Sequence, residues 1–450
     1  MLDYFNSYTM PLFALGLEMS ECGVLADAKL LERFKQRLSI GVERKKERFE
    51  KLTIRSTIKK KKHTRKGEPW FEDIMVEQGV NPASPKQLMA WLYEELKLPI
   101  QYTIDQQTKQ KRKTSNDEAV EKLGEKYGDK YLALRLLRWL RRASKMLSTY
   151  ANVVLDADGR IHTIYQEVTE TGRFSSKKTE DDEGLNMQNL PPWFRGVLIP
   201  DPGKVLVEWD LSQAEARIVA YLAGEEDMIA VFSDPKRNIH KLNVSKIFGI
   251  PEDQVVKDSR PTQPYGMSKK CTHGWDYLLG DRHAAHITGK SVAEMAKHRE
   301  EYYKAYPNIP KWHQFIRNIS LSSKILITPF GRRRVFLGRP PKRNEAGQLF
   351  PDEDLVRKMV AWVPQSTCTE YLKRGMLRMQ SYLPEGAEFL MDLHDGALLQ
   401  CWPKDVEALK ALIEVKTCVP LPIKDIFGKE RLLTISAEIS VGNRWGKGMK

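Results

Sequence analysis

The chain of 450 residues is 41% hydrophobic, long and apolar enough for a sizeable core and about two or three domains. Lysine plus arginine outnumber aspartate plus glutamate by 73 to 59; the net charge of +14 points to a polyanionic partner, nucleic acid before an anionic membrane surface, with plain solubility as the unspecific alternative. Five scattered cysteines (Cys22, Cys271, Cys368, Cys401 and Cys418) without a C-x-x-C pair argue against a disulfide framework or a zinc site and favour a reducing, cytoplasmic compartment. The N-terminus carries acids at Asp3 and Glu18 and no basic region, so it does not read as a signal peptide, and no apolar run approaches a membrane span.

Residues 1–35 read as a helix with Leu12, Leu15, Leu17 and Met19 as apolar positions, a turn at Gly23 and a second helix start at Asp27. Residues 41–66 are strongly basic, with Arg44, Lys45, Lys46, Arg48, Lys59, Lys60, Lys61, Lys62, Arg65 and Lys66. That stretch is either a solvated loop or an arm that contacts phosphates. Ser84 caps an amphipathic helix over 84–97, and a second basic patch follows at Lys109, Lys111, Arg112 and Lys113. Residues 130–150 form a long helix with Leu132, Leu136, Leu140 and Leu147 on one stripe. From Val153 short strands and turns take over, with a hairpin-type turn at 156–160 and a polar loop at 177–184. Residues 222–330 and 354–380 are mainly helical, 388–401 read as strand, tight turn and strand, and a last strand ends at VGNRW.

The chain is organised around VLVEWDLSQAEAR (205–217), a β-rich run that ends at Asp210 before a helix over Ser212 to Leu222. A carboxylate held on a rigid strand exit suits a hard divalent cation; the unspecific alternative is a helix N-cap. Asp395, in LHDGALL, sits in a predicted turn between two apolar strands, where aspartate is commonly just a turn former. Two strand-end aspartates that became sheet neighbours could hold two magnesium ions about 4 Å apart, the minimal equipment for phosphoryl transfer. Lys269, His273 and Tyr277 recur four residues apart and share a helix face that could meet a triphosphate, a sugar and a base. Arg173 lies in the turn TGRFSS (171–176). Arg357, Ala361 and Gln365 share a helix face, where polar side chains can test the minor groove of a duplex without reading its sequence.

Taken in order, TGRFSS with NMQNLP (186–191), DLSQAEAR (210–217), KKCTHGWDY (269–277), QST within 356–376, and LHDG (393–396) resemble the family A DNA polymerases, the group of bacterial DNA polymerase I and many phage replicases. They are similar to that family's TGR block, its motif A (D-Y-S-Q-I-E-L-R), its motif B, the block with its minor-groove glutamine, and its motif C (V-H-D-E). SPKQL, MLSTY and VGNRW also resemble family segments, so the likeness covers nearly the whole chain.

The resemblance implies an α+β right-hand polymerase fold with an antiparallel-sheet palm, helical fingers and a helical thumb. Residues 1–30 would be a linking helix and 31–150 the thumb. Residues 151–221 and 346–450 would form the palm, with the fingers over 222–345. It implies a DNA-templated DNA polymerase that adds dNTPs to a primer 3′ end by two-metal phosphoryl transfer. Its partners would be primer–template DNA and dNTPs, and its cofactor two Mg²⁺ ions, with Mn²⁺ as the alternative. Asp210, Asp395 and the Leu211 carbonyl would bind metal. Lys269 would contact the triphosphate and protonate the leaving pyrophosphate. His240 and Gln213 would serve the triphosphate site. Glu215, bonded to Tyr277, would exclude a ribose 2′-OH. Arg173, Arg357, Gln365 and His394 would touch primer and template.

Four positions depart from the family pattern. Tyr265 stands where an arginine is usual, and Arg260 in a longer loop is the candidate replacement. His273 replaces an aromatic residue that stacks on the sugar, Leu278 replaces a glycine, and Gly396 replaces the glutamate of motif C. The family's 3′–5′ exonuclease domain precedes the thumb, and residues 1–35 hold no D-x-E pair. The expectation is no proofreading within this polypeptide, with an exonuclease encoded separately or dispensed with. A single-subunit RNA polymerase and a non-catalytic nucleic-acid-binding relative are the competing readings.

Overall fold

The computed structural model describes residues 4–65, 68–105, 108, 110–166, 169–179, 181, 183–234, 236–446 and 448–449, with side chains described outside 57–74. The chain divides into two units. One comprises residues 25–161 and 180–185, the other residues 1–24, 162–179 and 186–450.

The first unit is built on helices Ala28–Leu52, Asp117–Tyr127 and Leu132–Met146. Asp27 starts the first of them by accepting the Leu30 N–H at 2.9 Å, and Asn116 does the same for Ala119 at 2.9 Å. Their apolar stripes meet around Phe49, Val120, Leu134, Leu137 and Leu140, with Leu92 of the helix Ala90–Glu95 in the same core. The described part of the basic stretch, 41–65, is mostly helix and strand rather than a loop. Its first part completes the long helix, and Arg55–Arg65 pairs antiparallel with Glu68–Gln78, with Lys59 opposite Ile74 and Lys61 opposite Glu72. Lys66 and Lys109 lie outside the described residues, as do the side chains of Lys59, Lys60, Lys61, Lys62 and Arg65.

In the second unit, helix α1 (Met10–Cys22) ends at Gly23, whose φ of 59° is one that glycine adopts without strain. An antiparallel sheet of four strands follows: β1 (Val205–Leu211), β2 (Glu388–Asp392), β3 (Gly396–Cys401) and β4 (Ala437–Gly442), in the order β2-β3-β1-β4. Side chains alternate along β1. Val207, Trp209 and Leu211 enter a core shared with Leu12 and Leu15 of α1, and Glu208 and Asp210 face the other way. Helix α2 (Ala214–Ala223) leaves β1. Helices α3 (Ile239–Phe248) and α4 (Pro264–Asp276) belong to a second core with Trp275, Tyr302 and Trp312. Helix α5 (Glu353–Gln380), with Pro364 in its interior, lines both cores. The mixed helix-and-sheet class expected from the sequence is the one observed, and no helix among the described residues is long and apolar enough to cross a membrane.

Candidate active site

The sheet register brings the two sequence-predicted aspartates together. Asp210, the last but one residue of β1, pairs with Gly396, the first residue of β3, so Asp395 stands one residue beyond that pair. The Leu211 N–H donates to the Asp395 carbonyl at 2.9 Å and ties the two segments. On the other flank of β1, Asp210 is paired in register with Glu438 of β4. Partial burial and the neighbouring Asp395, Glu438 and Glu208 carboxylates push the Asp210 carboxyl up to about 7. Burial and Glu215 raise Asp395 as well, against the opposing pull of Arg173 and His394. Among the described residues no lysine or arginine is paired with Asp210. Its surroundings are an uncompensated negative field on a rigid strand.

The turn from β1 into α2 places Glu215 beside this pair. Gln213 takes the left-handed conformation there, with φ 53°, and is exposed. Glu215 gathers three donors from distant segments. Arg173 Nη2 donates to Oε1 at 2.6 Å, the Tyr277 hydroxyl donates to Oε2 at 2.7 Å, and His273 Nε2 lies 3.4 Å from Oε2. Burial opposes its charge, but the His273 and Tyr277 hydrogen bonds and the nearby cations hold the carboxyl below the usual glutamate range. The same Arg173 nitrogen reaches Asp395 Oδ1 at 3.4 Å, so one guanidinium bridges Glu215 and a predicted metal ligand.

Helix α4 presents Lys269, His273 and Tyr277 as the spacing predicts. Lys269 is exposed, and the His273 and Tyr277 rings meet nearly edge-on at 4.7 Å. Leu278, in the position of the family's glycine, has φ 62°, a left-handed residue that closes the helix with its N–H on the Trp275 carbonyl. With Gln213 and with His394 at φ 76°, three non-glycine residues of the described chain hold this costly conformation at the predicted site. His240 of α3 is largely buried against Tyr265 of α4, ring to ring at 5.8 Å. Burial and the positive Lys269 push its imidazole down to about 4, so it is neutral at physiological pH. Tyr265, which replaces the family's arginine, is therefore a packing residue against that histidine. Arg260 is not brought into the cluster: it is exposed and its guanidinium is paired with Asp258, with Nε at 2.9 Å from Oδ2.

Helix α5 carries Arg357 and Gln365. Arg357 is exposed and paired with Asp354, and Gln365 lies two turns further along. His394 stands between Asp395 and the buried Asp392, whose Oδ1 accepts from the His394 N–H at 3.2 Å and from Gln188 Nε2 at 2.7 Å.

Several residues escaped the sequence. Cys368 of α5 lies with its thiol 3.8 Å from Asp395 Oδ1. Arg332, Arg333 and Arg334 line an open cleft of about 370 Å³ with Thr169, Glu170 and Trp362. A run of three arginines after the Gly331 turn was itself a signal for the latter. Gly396 proves to be required: a Cβ there would stand 2.2 Å from the Trp209 carbonyl oxygen and 3.1 Å from Asp210 Oδ1.

Comparison with protein families matches residues 54–447 to DNA polymerase family A. DNA polymerase I of Caldicellulosiruptor bescii is 26% identical over 360 residues, covering 76% of this chain and 39% of that protein. DNA polymerase I of Bacillus caldotenax is 26% identical over 419 residues, 90% of this chain and 42% of that protein. The thermostable DNA polymerase I of Thermus aquaticus is 26% identical over 380 residues, 81% and 42% respectively. Among solved structures, the POL domain of Pol1 from M. smegmatis, in complex with DNA primer-template and dNTP, superposes with a TM-score of 0.76 at 22% identity, covering 99% of this chain and 71% of that one. The chain spans about two-fifths of the length of the curated relatives it matches. On the family match over 54–447, this chain belongs to DNA polymerase family A.

Proposed function

We propose that the chain is a DNA-templated DNA polymerase that extends a primer 3′ end with dNTPs and releases pyrophosphate. The observation that carries this reading is the placement of Asp210 and Asp395 at adjoining strand ends, beside a glutamate clamped by Tyr277. The donor set fits divalent cations. Asp210 and Asp395 are hard oxygen ligands whose carboxyls are raised by burial first and then by neighbouring carboxylates, Asp395 acting on Asp210 and Glu215 on Asp395, and a bound cation would favour their charged forms. Asp210, Asp395 and the Leu211 carbonyl would hold two ions, Mg²⁺ in the cell with Mn²⁺ able to replace it. When bound, such ions supply the Lewis acidity that activates the primer hydroxyl and neutralises the departing pyrophosphate.

The chain's own residues do the rest. Exposed Lys269 on α4 meets the triphosphate and gives a proton to the leaving pyrophosphate. Neutral His240, with Gln213 at the β1–α2 turn, lines the triphosphate site. His273 and Tyr277 hold Glu215 where a ribose 2′-OH would stand, which favours deoxynucleotides over the ribonucleotides of an RNA polymerase. Arg173, Gln365 and His394 face primer and template at the new pair, with Arg357 further along α5. Arg332–Arg334 add cationic groups for a strand's phosphates. Arg260 serves the triphosphate only if its pairing with Asp258 opens.

Residues 31–150 are assigned as thumb, 151–221 and 346–450 as palm and 222–345 as fingers. The compact unit at 25–161 supports the first of these. Asp210→Ala should lower primer extension with Mg²⁺ and dNTPs by at least about 10³-fold. Unchanged extension would overturn the reading, a preference for rNTPs would favour an RNA polymerase, and primer–template binding with no extension by the wild type would favour a non-catalytic relative.

A further inference from the structure

Lys373 sits in the C-terminal third of α5 and is 1% exposed. A lysine ammonium is rarely withdrawn from water unless something holds it, because the transfer is costly. Here Nζ donates to the Gly172 carbonyl at 2.8 Å and stands 3.4 Å from the centroid of the Phe174 ring. Both contacts are with the turn that carries Arg173, on either side of it.

That turn is held along its whole length. The Gly172 N–H donates to the Thr169 carbonyl at 3.0 Å, and Gly172 has φ 81°. The Thr169 hydroxyl donates to the Arg173 carbonyl at 2.7 Å. Trp362, three turns before Lys373 on α5, donates its indole N–H to the Glu170 carbonyl at 2.8 Å. One helix thus grips two carbonyls of the turn, Glu170 and Gly172, and a third, Arg173, is held from within. From this fixed backbone the Arg173 side chain projects, and its guanidinium spans Glu215 and Asp395.

We infer that Lys373 is a positioning residue: its buried ammonium fixes the Gly172 peptide and so sets where the Arg173 guanidinium points. The effect on catalysis rests on the polymerase reading above, while the effect on Arg173 does not. Sub-ångström placement matters at such a site, since misplacing a group by about 1 Å can cost on the order of 100-fold in rate.

The test is Lys373→Met, which keeps chain length and apolar bulk and removes the donor. Its crystal structure should show Arg173 displaced from Glu215, with thermal unfolding still cooperative. Primer extension should fall about 10- to 100-fold. In a double-mutant cycle with Arg173→Ala, the double variant should be no slower than Arg173→Ala alone, because both changes remove the same guanidinium placement. An Arg173 that stays on Glu215, or losses that multiply in the double variant, would overturn the assignment and leave Lys373 as a packing residue. If Lys373→Met does not fold, Lys373→Gln, shorter and neutral, is read in the same way. Failure of the wild type to extend primers would count against the polymerase reading alone, because the position of Arg173 in the crystal still decides the role of Lys373.

Discussion

The Tyr277 hydroxyl donates to Glu215 Oε2 at 2.7 Å, joining the end of α4 to the start of α2 across 62 residues of sequence. A carboxylate held by three donors is rigid, and a rigid wall discriminates by shape. Glu215→Ala should remove the wall and raise rNTP incorporation relative to dNTP by about 10- to 100-fold, a change of about 1–3 kcal/mol in discrimination. Tyr277→Phe leaves the wall in place but removes one brace, so a smaller change in the same direction is expected. Single-nucleotide insertion with matched rNTP and dNTP pairs measures both. An unchanged ratio in Glu215→Ala would assign the wall to another residue.

If Glu215 is the sugar wall proposed above, His273 should make it sensitive to pH. Burial works against the imidazolium, but the hydrogen bond to Glu215 and the fields of Asp276, Glu215 and Asp395 outweigh it and hold the group above its ordinary 6.5. Glu215, held low by the same contact, stays ionised throughout. For a cation whose folded value is raised, the pairing is complete below the ordinary value and is lost as pH rises through the raised one. Sugar discrimination should therefore be full at and just below pH 6.5 and decline toward alkaline pH. His273→Phe should flatten that decline, which insertion assays over a pH series would read. A wild-type profile without the alkaline limb would remove His273 from sugar selection.

The blocks that carry the aspartates were legible because each is local: a strand, an exit carboxylate and a helix spell themselves out in thirteen residues. The register that joins Asp210 to the segment of Asp395 was legible only as a consequence of two strands, since pairing across 185 residues leaves no local trace. Lys373 and Trp362 read as ordinary helix residues, because the carbonyls they hold lie about 200 residues earlier in the chain. Gly396 looked like a lost glutamate. Its necessity comes from the approach of the Trp209 carbonyl, which no spacing reveals. The basic stretch hid its structure behind its charge, and Lys45 even sets its ammonium over the Trp139 ring.

Asp276, at the end of α4, is fully buried and accepts from the Tyr302 hydroxyl at 2.7 Å. Burial raises its carboxyl to about 7, against the pull of that hydrogen bond and of His273. The folded state therefore binds this proton more tightly than the unfolded chain, whose ordinary value is 3.8. Stability from this group is present at pH 4 and is lost as pH rises toward about 7, on the order of 1.4 kcal/mol per pH unit at most. Asp276→Asn keeps an acceptor for Tyr302 and has no proton to lose. It should unfold at a higher denaturant concentration than the wild type at pH 8, with the difference closing by about pH 4. Equal midpoints at both pH values would show that the wild-type carboxyl titrates normally.

Gly396 tests whether the missing motif C carboxylate can be restored. In the register of β3 against β1, a side chain at 396 would enter the space held by the Trp209 carbonyl and the Asp210 backbone, with Cβ distances of 2.2 and 3.0 Å. Neither neighbour is the far end of a flexible side chain, so the strands themselves must separate. Gly396→Ala should thus cost about 1–3 kcal/mol in stability and displace Asp210 from Asp395. Gly396→Glu should do the same while adding a carboxylate. Both variants should extend primers more slowly than the wild type, and the glutamate should bring no gain over the alanine. Denaturant unfolding alongside primer extension separates the steric loss from any benefit of the charge. A Gly396→Glu variant as stable as the wild type and faster than it would mean that the strands yield and that this chain lacks a useful third carboxylate. The tight β1–β3 contact predicts the opposite: here the two aspartates are set by a glycine's close approach, and a larger residue in its place disturbs them.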